Sequence, residues 1–299
     1  MDKVLITGGS GTLGNALVKE LYETCQITIY SRSELLQSQM RRQYPKCHYV
    51  LGDVRDRELI SAAIAGHDTV IHAAAMKRIP ECELQPGICH EVNVIGSEYV
   101  AEACRRHDVK QCIGISTDKA CQPVTVYGAS KLMMERIFQA QPTDSCKFKL
   151  VRYGNVLESR GSVIPLWRQQ YANGDPITLT DRRMTRFWMS PQDAVNVVMA
   201  ALKIAPGQIF IPKVKALPIY DMARFVVGPE PSFSEVGLRS VERLHEWLVS
   251  PDEAAREFDD HFIIDPNGGG EIGKHSYQSM DAPQLDEAEF QAMLAEVEA

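Results

Sequence analysis

The residues best suited to chemistry lie at positions 116–131, a segment rich in hydroxyl and ionisable side chains. Tyr127 and Lys131 are four positions apart, so on a helix they share one face with Cβ atoms ~5–6 Å apart. A lysine ammonium beside a tyrosine stabilises the phenolate and lowers its pKa from the usual ~10. We therefore predict that Tyr127 removes the proton from a substrate alcohol while the same carbon loses a hydride.

A second acid–base pair, Asp118 and Lys119, directly follows Ser116 and Thr117. Oxidation of an alcohol needs one proton acceptor, which Tyr127 already provides. The additional carboxylate and amine therefore indicate that the site catalyses a further step on the oxidised substrate.

The composition is that of an ordinary globular protein. The chain has 299 residues, of which 44% are hydrophobic and 24% charged, with a net charge of -7 and a pI near 5.7. These values allow a large core and argue against nucleic acid as a main partner. No apolar stretch approaches the ~20 residues of a membrane helix, and the chain begins with a strand rather than a signal peptide. We therefore expect a soluble, cytoplasmic protein with no membrane partner.

The cysteines do not predict disulfides or a metal site. All eight lie between Cys25 and Cys146, and none form a Cys-x-x-Cys pair. Reduced, mostly buried thiols are expected in a cytosolic protein. Because the cysteines and histidines lack the spacing of metal ligands, we predict no metal site.

Strands alternate with helices over the first half of the chain. This alternation predicts an α/β fold with a Rossmann-like, doubly wound parallel sheet, right-handed crossovers and helices on both faces. The predicted strands are Val4–Ile6, Ile27–Tyr30, His48–Leu51, Thr69–His72, Cys112–Ile115 and Leu150–Val151, and the predicted helices are Gly14–Tyr22, Ser33–Gln43, Asp56–Ala65, Glu91–Arg106 and Val126–Gln139.

The chain is predicted to divide into a large and a small domain. A helix at Asp193–Lys203 followed by a strand at Ile209–Ile211 repeats the earlier pattern, so this segment is expected to return to the sheet. The predicted assignment is a nucleotide-binding domain of residues 1–155 and 190–214, with a smaller C-terminal substrate-binding domain of residues 156–189 and 215–299.

The segment Thr7–Gly14 connects the first predicted strand to the first helix and has the pattern T-G-x-x-G-x-x-G. Such glycines permit a tight turn that brings backbone N–H groups close to a pyrophosphate at the helix N-terminus. In this strand–turn–helix context the pattern predicts a dinucleotide site. The predicted contacts are Gly8, Ser10, Gly11, Thr12, Leu13 and Gly14.

The end of the second strand determines which nucleotide is preferred. NAD sites usually have an acidic residue there to bind the ribose 2′-hydroxyl, whereas this chain has Ser31 and Arg32. A hydroxyl and a guanidinium suit a 2′-phosphate, so we predict NADP, while the nearby Glu34 leaves NAD open. Further cofactor contacts, after the third and fourth strands, are predicted at Asp53, Val54, Ala73, Ala74 and Ala75.

The chain resembles the extended short-chain dehydrogenase/reductase family, and within it the soluble, inverting UDP-N-acetylglucosamine 4,6-dehydratases of polysaccharide biosynthesis. STDKA together with RYGNV and SRGSV is more specific than the glycine turn. The matching segments extend from residue 4 to about 190 and are TGGSGTLG, IYSRSE, GDVRD, HAAAMKRIPECE, ISTDKACQPVTVYGASK, VRYGNVLESRGSVIP and TDRRMTRFW.

The resemblance implies a mechanism. Tyr127, assisted by Thr117 and Lys131, would deprotonate the sugar O4 as C4 gives its hydride to NADP⁺. Lys119 would then remove the C5 proton while Asp118 helps O6 leave as water, and hydride would return to C6. Glutamate replaces this lysine in dTDP-glucose dehydratases, so Lys119 implies inversion at C5 and a UDP-4-keto-6-deoxy-L-arabino-hexulose product.

The resemblance also implies where the substrate binds and how the chain assembles. A diphosphate suits arginine side chains and N–H groups at a helix start, and Val156 is expected near the nicotinamide together with Tyr127 and Lys131. Relatives form homo-oligomers, so a homo-oligomer is expected here. The expected UDP-sugar contacts are Lys77, Asn155, Arg160, Gly161, Ser162, Val163, Arg239 and Glu242.

Three other functions compete with this interpretation. A UDP-sugar 4-epimerase would need Tyr127 and Lys131 but not Asp118 and Lys119, and an NADP-binding scaffold would need none of these side chains. Their retention together with Thr117 argues against both. Release of a 5,6-unsaturated sugar would use the same residues, so the sequence leaves this outcome open beside the complete reaction.

Overall fold

In a computed structural model, which describes residues 1–142, 144–157, 162–228 and 231–298, the strands build one large sheet and three small ones. The strands are β1 Lys3–Thr7, β2 Gln26–Ser31, β3 His48–Leu51, β4 Thr69–His72, β5 Gln111–Thr117, β6 Lys147–Tyr153, β7 Asn155–Val156, β8 Ile177–Leu179, β9 Thr185–Met189, β10 Ile209–Pro212, β11 Ala216–Pro218, β12 Phe233–Glu235, β13 Trp247–Val249, β14 Ala255–Glu257, β15 His261–Ile264 and β16 Tyr277–Gln278.

The helices connect and cover these strands. A π-helical turn at Glu91–Ile95 leads into the sixth helix, and a 3₁₀ turn at Asp118–Ala120 follows β5. The helices are α1 Thr12–Leu21, α2 Glu34–Gln43, α3 Arg57–Ile64, α4 Ile79–Leu84, α5 Pro86–His90, α6 Gly96–Arg106, α7 Val126–Gln139, α8 Ile164–Asn173, α9 Pro191–Ala201, α10 Ile219–Val227 and α11 Glu287–Glu298.

The large sheet has nine strands in the order β14-β15-β10-β6-β5-β4-β1-β2-β3. The strands from β10 to β3 are parallel to one another, which confirms the predicted Rossmann-like sheet. The strand order reverses between β1 and β4, and ligands of open α/β sheets bind at the carboxyl ends of the strands beside such a reversal.

Helices pack on both faces of this sheet, and the strands are apolar on both faces for that reason. Leu5 faces a cluster that includes Ile60 of α3, whereas Val4 faces a cluster that includes Leu17 of α1 and Val195 of α9. Residues 4–6 of β1 are fully buried as a result.

The second half of the chain extends the sheet. Strand β10 pairs in parallel with β6, and α9 packs against α1. The structure differs from the predicted division at residues 255–264, because β15 pairs antiparallel with β10 and β14 pairs with β15. These two strands cover an edge of β10 whose backbone groups would otherwise be unpaired. The domain division itself stays a prediction.

The remaining strands form small sheets near the carboxyl ends of the large one. These sheets have the orders β11-β9-β7, β12-β8 and β13-β16. A third apolar cluster joins Trp167 of α8, Met222 of α10 and Phe290 of α11. This part of the chain therefore has a core of its own.

Most of the cysteine side chains lie in the interior. All eight thiols are free, and seven are buried while Cys25 is partly exposed, which confirms the prediction of mostly buried thiols. Among the described helices, none combines the length and the apolar composition needed to cross a bilayer.

Candidate active site

A cavity of about 1310 Å³ lies along the carboxyl ends of the parallel strands. Asp118 is the one predicted residue of the described part that does not line it, because its side chain is fully buried. Arg160 and Gly161 lie outside the described residues. The predicted residues that do line the cavity are Gly8, Ser10, Gly11, Thr12, Leu13, Gly14, Ser31, Arg32, Asp53, Val54, Ala73, Ala74, Ala75, Lys77, Thr117, Lys119, Tyr127, Lys131, Asn155, Val156, Ser162, Val163, Arg239 and Glu242.

The glycine turn after β1 has a backbone that side chains would obstruct. Gly8 has φ 68°, and a Cβ there would lie 2.9 Å from the backbone of Ala73 and Ala74. Gly11 N–H donates to Gly8 O at 2.8 Å, and α1 begins one residue later with no side-chain cap. The first N–H groups of α1 therefore remain available to an anion. This arrangement fits the pyrophosphate of a dinucleotide.

The end of β2 presents one cation to the cavity. The Ser31 hydroxyl accepts hydrogen bonds from Ser10 Oγ at 2.9 Å and from Gln37 Nε2 at 3.0 Å, so it is held against the protein. The Arg32 side chain is 56% exposed, with Nη1 3.7 Å from Asp53 Oδ2. Arg32 is therefore the group at this strand end that can move to meet a phosphate.

Helix α7 is docked directly against the turn that carries Lys119. The side chain of Thr125 caps the helix by accepting a hydrogen bond from Gly128 N–H at 2.9 Å. A Cβ at Gly128 would lie 2.1 Å from Lys119 O, so only glycine permits this close approach. The contact brings Tyr127, in the first turn of α7, next to Thr117 at the end of β5.

The pKa of Tyr127 moves in the opposite direction from the one predicted. Burial raises the pKa of this phenol, the negative charge of Asp118 raises it further, and a hydrogen bond with Thr117 opposes both effects. The Lys131 Nζ donates to Met134 Sδ at 2.9 Å rather than to the phenol. Burial also lowers the pKa of Lys131 to about 8, so its positive charge is itself disfavoured.

Asp118 and Lys119 form a joined pair rather than two independent groups. Asp118 Oδ1 accepts hydrogen bonds from Thr117 Oγ1 at 2.8 Å and from Lys119 Nζ at 2.9 Å. The other oxygen, Oδ2, is buried without a hydrogen-bond partner. Lys119 Nζ also lies 3.4 Å from Asn155 Oδ1. Lys119 therefore lies between the cavity and the Asp118 carboxyl, and Asp118 reaches a ligand only through its neighbours.

The predicted substrate residues line the part of the cavity away from the glycine turn. Ser162 and Val163 immediately precede α8, and Arg239 N–H donates to Glu242 Oε2 at 3.3 Å. The cavity wall there combines polar side chains with apolar ones such as Trp167 and Met184. Among the described residues, no three His, Cys, Asp or Glu side chains are arranged to hold a metal ion.

Sequence reasoning missed Asn93, which ties α7 to the segment after β4. Its Nδ2 donates to Ser130 Oγ at 2.9 Å and to Met76 O at 2.8 Å, and Ser130 Oγ donates to Tyr127 O at 2.7 Å. Asn93 lies in the π-helical turn, and such turns are frequent at functional sites. The sequence of this turn has an ordinary helical pattern, so the change from α-helix to π-helix could not be predicted from it.

The parallel sheet, the glycine turn and the pair Tyr127 and Lys131 define the short-chain dehydrogenase/reductase class. Within this class, residues 4–266 match the polysaccharide biosynthesis protein family, and the chain belongs to that family. The resemblance stated from the sequence is thereby confirmed.

Relatives and solved structures extend the comparison over nearly the whole chain. The inverting UDP-N-acetylglucosamine 4,6-dehydratase of Campylobacter jejuni is 42% identical over 277 residues, which are 88% of this chain and 83% of that protein. A UDP-glucose 4-epimerase of Rickettsia canadensis is 38% identical over 287 residues, covering 90% of this chain and 84% of that protein. The X-ray structure of Pen from Bacillus thuringiensis superposes with a TM-score of 0.91 at 30% identity, covering 99% of this chain and 98% of that one.

Proposed function

We propose that this protein is a nucleotide-sugar dehydratase that uses NADP to convert UDP-N-acetylglucosamine into the UDP-4-keto-6-deoxy sugar of L-arabino configuration, with the 2-acetamido group retained. The observation that supports this proposal is the ion pair of Asp118 and Lys119, in which Nζ lies 2.9 Å from Oδ1. Lys119 lines the same cavity as Tyr127 and Lys131. Oxidation alone does not use this pair. The name of the Campylobacter relative describes the same reaction.

Two groups of side chains carry out the proton transfers. Tyr127 and Thr117 act at the sugar O4, and Lys119 and Asp118 act at C5 and O6. A bound nicotinamide supplies a reversible hydride acceptor. Tyr127 removes the O4 proton, and Thr117, which already hydrogen-bonds the phenol, orients it. Lys119 is the exposed member of its pair and takes the C5 proton, for which its amine must be neutral. Asp118 lies behind Lys119, whose Nζ donates to it at 2.9 Å, so Asp118 acts on the departing O6 hydroxyl only through this lysine. The Lys119 ammonium formed at C5 gives its proton to O6 as water leaves, and Asp118 stabilises that ammonium.

A UDP-sugar 4-epimerase is the second candidate, favoured by the 38% identity to the Rickettsia relative with that name. Epimerisation uses Tyr127 to remove and return one proton at O4. Epimerisation does not require Asp118 and Lys119, so the dehydratase reaction explains more residues of the site.

Proton NMR of the sugar during incubation with UDP-N-acetylglucosamine and NADP in heavy water tests the proposal. The expected product is a 4-keto-6-deoxy sugar with inverted C5 and deuterium at that carbon. A vinylic C6 signal would mean that the reaction stops at the 5,6-alkene. Formation of the C4 epimer without loss of water would replace the proposal with the second candidate.

Two variants test the assignment of Lys119 and Asp118. Lys119→Ala should lower dehydration by ~10²-fold or more while cofactor reduction continues, because general-base catalysis contributes about that much. Asp118→Asn should slow loss of water more than hydride transfer. Lys110→Ala, at an exposed lysine before β5, is the matched control. Dehydration by Lys119→Ala at the wild-type rate would show that this lysine is not the base.

A further inference from the structure

The connection between β4 and α6, residues 73–95, contributes to the cavity and also holds the helix that carries Tyr127. Its first part lines the cavity with Ala73, Ala74, Ala75 and Lys77. Its later part contains α4 and the π-helical turn, and both pack against α7. No step of the proposed reaction uses a side chain of α4 or of this turn.

Glu83, in α4, accepts a hydrogen bond from the backbone at the start of α7. The distance from Val126 N to Glu83 Oε1 is 2.8 Å. The N–H of Val126 is one of the first N–H groups of α7, which have no partner within the helix. A carboxylate at this position also interacts favourably with the helix dipole. Glu83 thereby binds the residue that directly precedes Tyr127.

The backbone after Tyr127 is held by the same connection. Ser130 Oγ donates to Tyr127 O at 2.7 Å and accepts a hydrogen bond from Asn93 Nδ2 at 2.9 Å. Asn93 is itself bound to Met76, whose N–H donates to Asn93 Oδ1 at 2.7 Å. Side chains of residues 83–93 therefore fix α7 immediately before and immediately after Tyr127.

The place of the Tyr127 phenol depends on how the start of α7 is held. The phenol must lie within hydrogen-bond reach of the sugar O4 to take its proton. Thr117, which hydrogen-bonds the phenol, is fixed separately at the end of β5 in the large sheet. A displacement of about 1 Å between such groups can cost ~10²-fold in rate. A residue that anchors the first turn of α7 can therefore control hydride transfer without contacting the substrate.

We propose that Glu83 is a positioning residue, which anchors the start of α7 so that the Tyr127 phenol meets both Thr117 and the sugar O4. The inference rests on the proposed function, in which Tyr127 removes the O4 proton as the hydride leaves C4. Glu83 does not line the cavity, and it acts through the backbone of Val126. It accepts a hydrogen bond throughout the reaction and neither gains nor loses a proton.

The first experiment measures the rate of cofactor reduction in a single turnover with NADP and UDP-N-acetylglucosamine. In Glu83→Ala the N–H of Val126 loses its acceptor, so hydride transfer should slow by ~10–10²-fold while the dissociation constant of NADP is unchanged. Glu83→Gln retains a carbonyl oxygen as acceptor and should recover most of the rate. Glu287→Ala, which removes an exposed carboxylate from the first turn of α11, is the matched control. Hydride transfer at the wild-type rate in Glu83→Ala overturns the proposal.

Two comparisons separate positioning of Tyr127 from a general loosening of the site. Deuterium exchange at C5 of the isolated 4-keto product needs no proton transfer at O4, so Glu83→Ala should catalyse it at the wild-type rate. Glu83→Ala combined with Tyr127→Phe should slow hydride transfer no further than Tyr127→Phe alone, because the carboxylate acts through the phenol. Equal slowing of exchange and hydride transfer, or additive losses in the double variant, overturns the proposal.

A second measurement does not depend on the substrate. Hydrogen exchange of the Val126 amide, followed by NMR, should accelerate in Glu83→Ala because its hydrogen bond is lost, and unchanged exchange overturns the proposal. If the wild type epimerises UDP-glucose instead of dehydrating UDP-N-acetylglucosamine, only the proposed function is refuted. The measurement of hydride transfer then uses UDP-glucose, since both reactions begin with removal of the O4 proton.

Discussion

Arg152 and Glu135 form a two-point ion pair in the interior, and both side chains are fully buried. Arg152 Nε donates to Glu135 Oε1 at 3.0 Å, and Nη2 donates to Oε2 at 2.7 Å. Arg152 Nη1 also donates to Glu253 Oε2 at 2.9 Å. The guanidinium thereby connects β6, the helix that carries Tyr127 and Lys131, and the chain after β13.

Arg152→Met should destabilise the protein strongly, because it leaves Glu135 and Glu253 buried without a cation. Breaking such a pair costs about 3–5 kcal/mol, measurable as a lower free energy of unfolding in urea. Lys274→Met removes an exposed pair, in which the side chains of Lys274 and Glu271 are 53% and 73% exposed, and should cost less than ~1 kcal/mol. Equal losses in the two variants would contradict this account of the network.

Gly14→Ala should abolish cofactor binding, because the new Cβ would lie 2.2 Å from Gly9 O. The turn can accept it only by opening, which displaces the N–H groups at the start of α1. Gly87→Ala is the control, since a Cβ there meets nothing within 4 Å. Titration of each variant with NADP, followed by thermal unfolding, separates loss of the site from loss of the fold. Normal NADP affinity in Gly14→Ala would show that the turn does not hold the pyrophosphate.

The sequence predicted the elements whose pattern is local. The inner strands of residues 1–155 were placed correctly because both faces of the sheet are covered there, so these strands are largely apolar. The edge strand β3 is only partly buried. The glycine turn was placed correctly because its spacing is itself a local pattern. By contrast, β14 and β15 were missed because antiparallel pairing with β10 depends on an edge that only the assembled sheet creates.

The sequence predicted which residue types form the site more accurately than it predicted the burial and the charges around their side chains. Spacing placed Tyr127 and Lys131 on one face of a helix, but the direction of the pKa shift of Tyr127 depends on burial and on the charge of Asp118, neither of which has a pattern in sequence. The same holds for Asp118, which is buried behind Lys119.

Arg32→Asp should shift the preference of the protein from NADP toward NAD. The substitution removes the cation that can reach a 2′-phosphate and adds a carboxylate suited to the ribose 2′-hydroxyl. The ratio of the two dissociation constants is the measurement, because it is insensitive to a general loss of affinity. Arg42→Asp, in the last turn of α2, makes the same charge change away from the cavity and should leave the ratio unaltered. An unchanged ratio in Arg32→Asp would show that Arg32 does not bind a 2′-phosphate and would contradict the preference for NADP.

Lys131→Met should stabilise the protein at neutral pH and lose this advantage in alkali. Burial lowers the pKa of Lys131 from 10.5 to about 8, although Glu135 opposes the shift. Between these two values the unfolded chain holds a proton that the folded protein has released, so the free energy of unfolding of the wild type rises with pH there. Below about pH 8 the folded protein contains the buried ammonium, at a cost of roughly 3 kcal/mol relative to alkaline conditions.

The variant has no such ammonium, so its stability relative to the wild type should fall by most of that amount between about pH 7 and about pH 10.5. Urea unfolding of both proteins at the two pH values gives the comparison, in which the titration of every other group cancels. Lys203→Met, at an exposed lysine just after α9, should show no change with pH. A constant difference between Lys131→Met and the wild type would mean that Lys131 keeps its ordinary pKa, and that the charge beside Tyr127 is present throughout the neutral range.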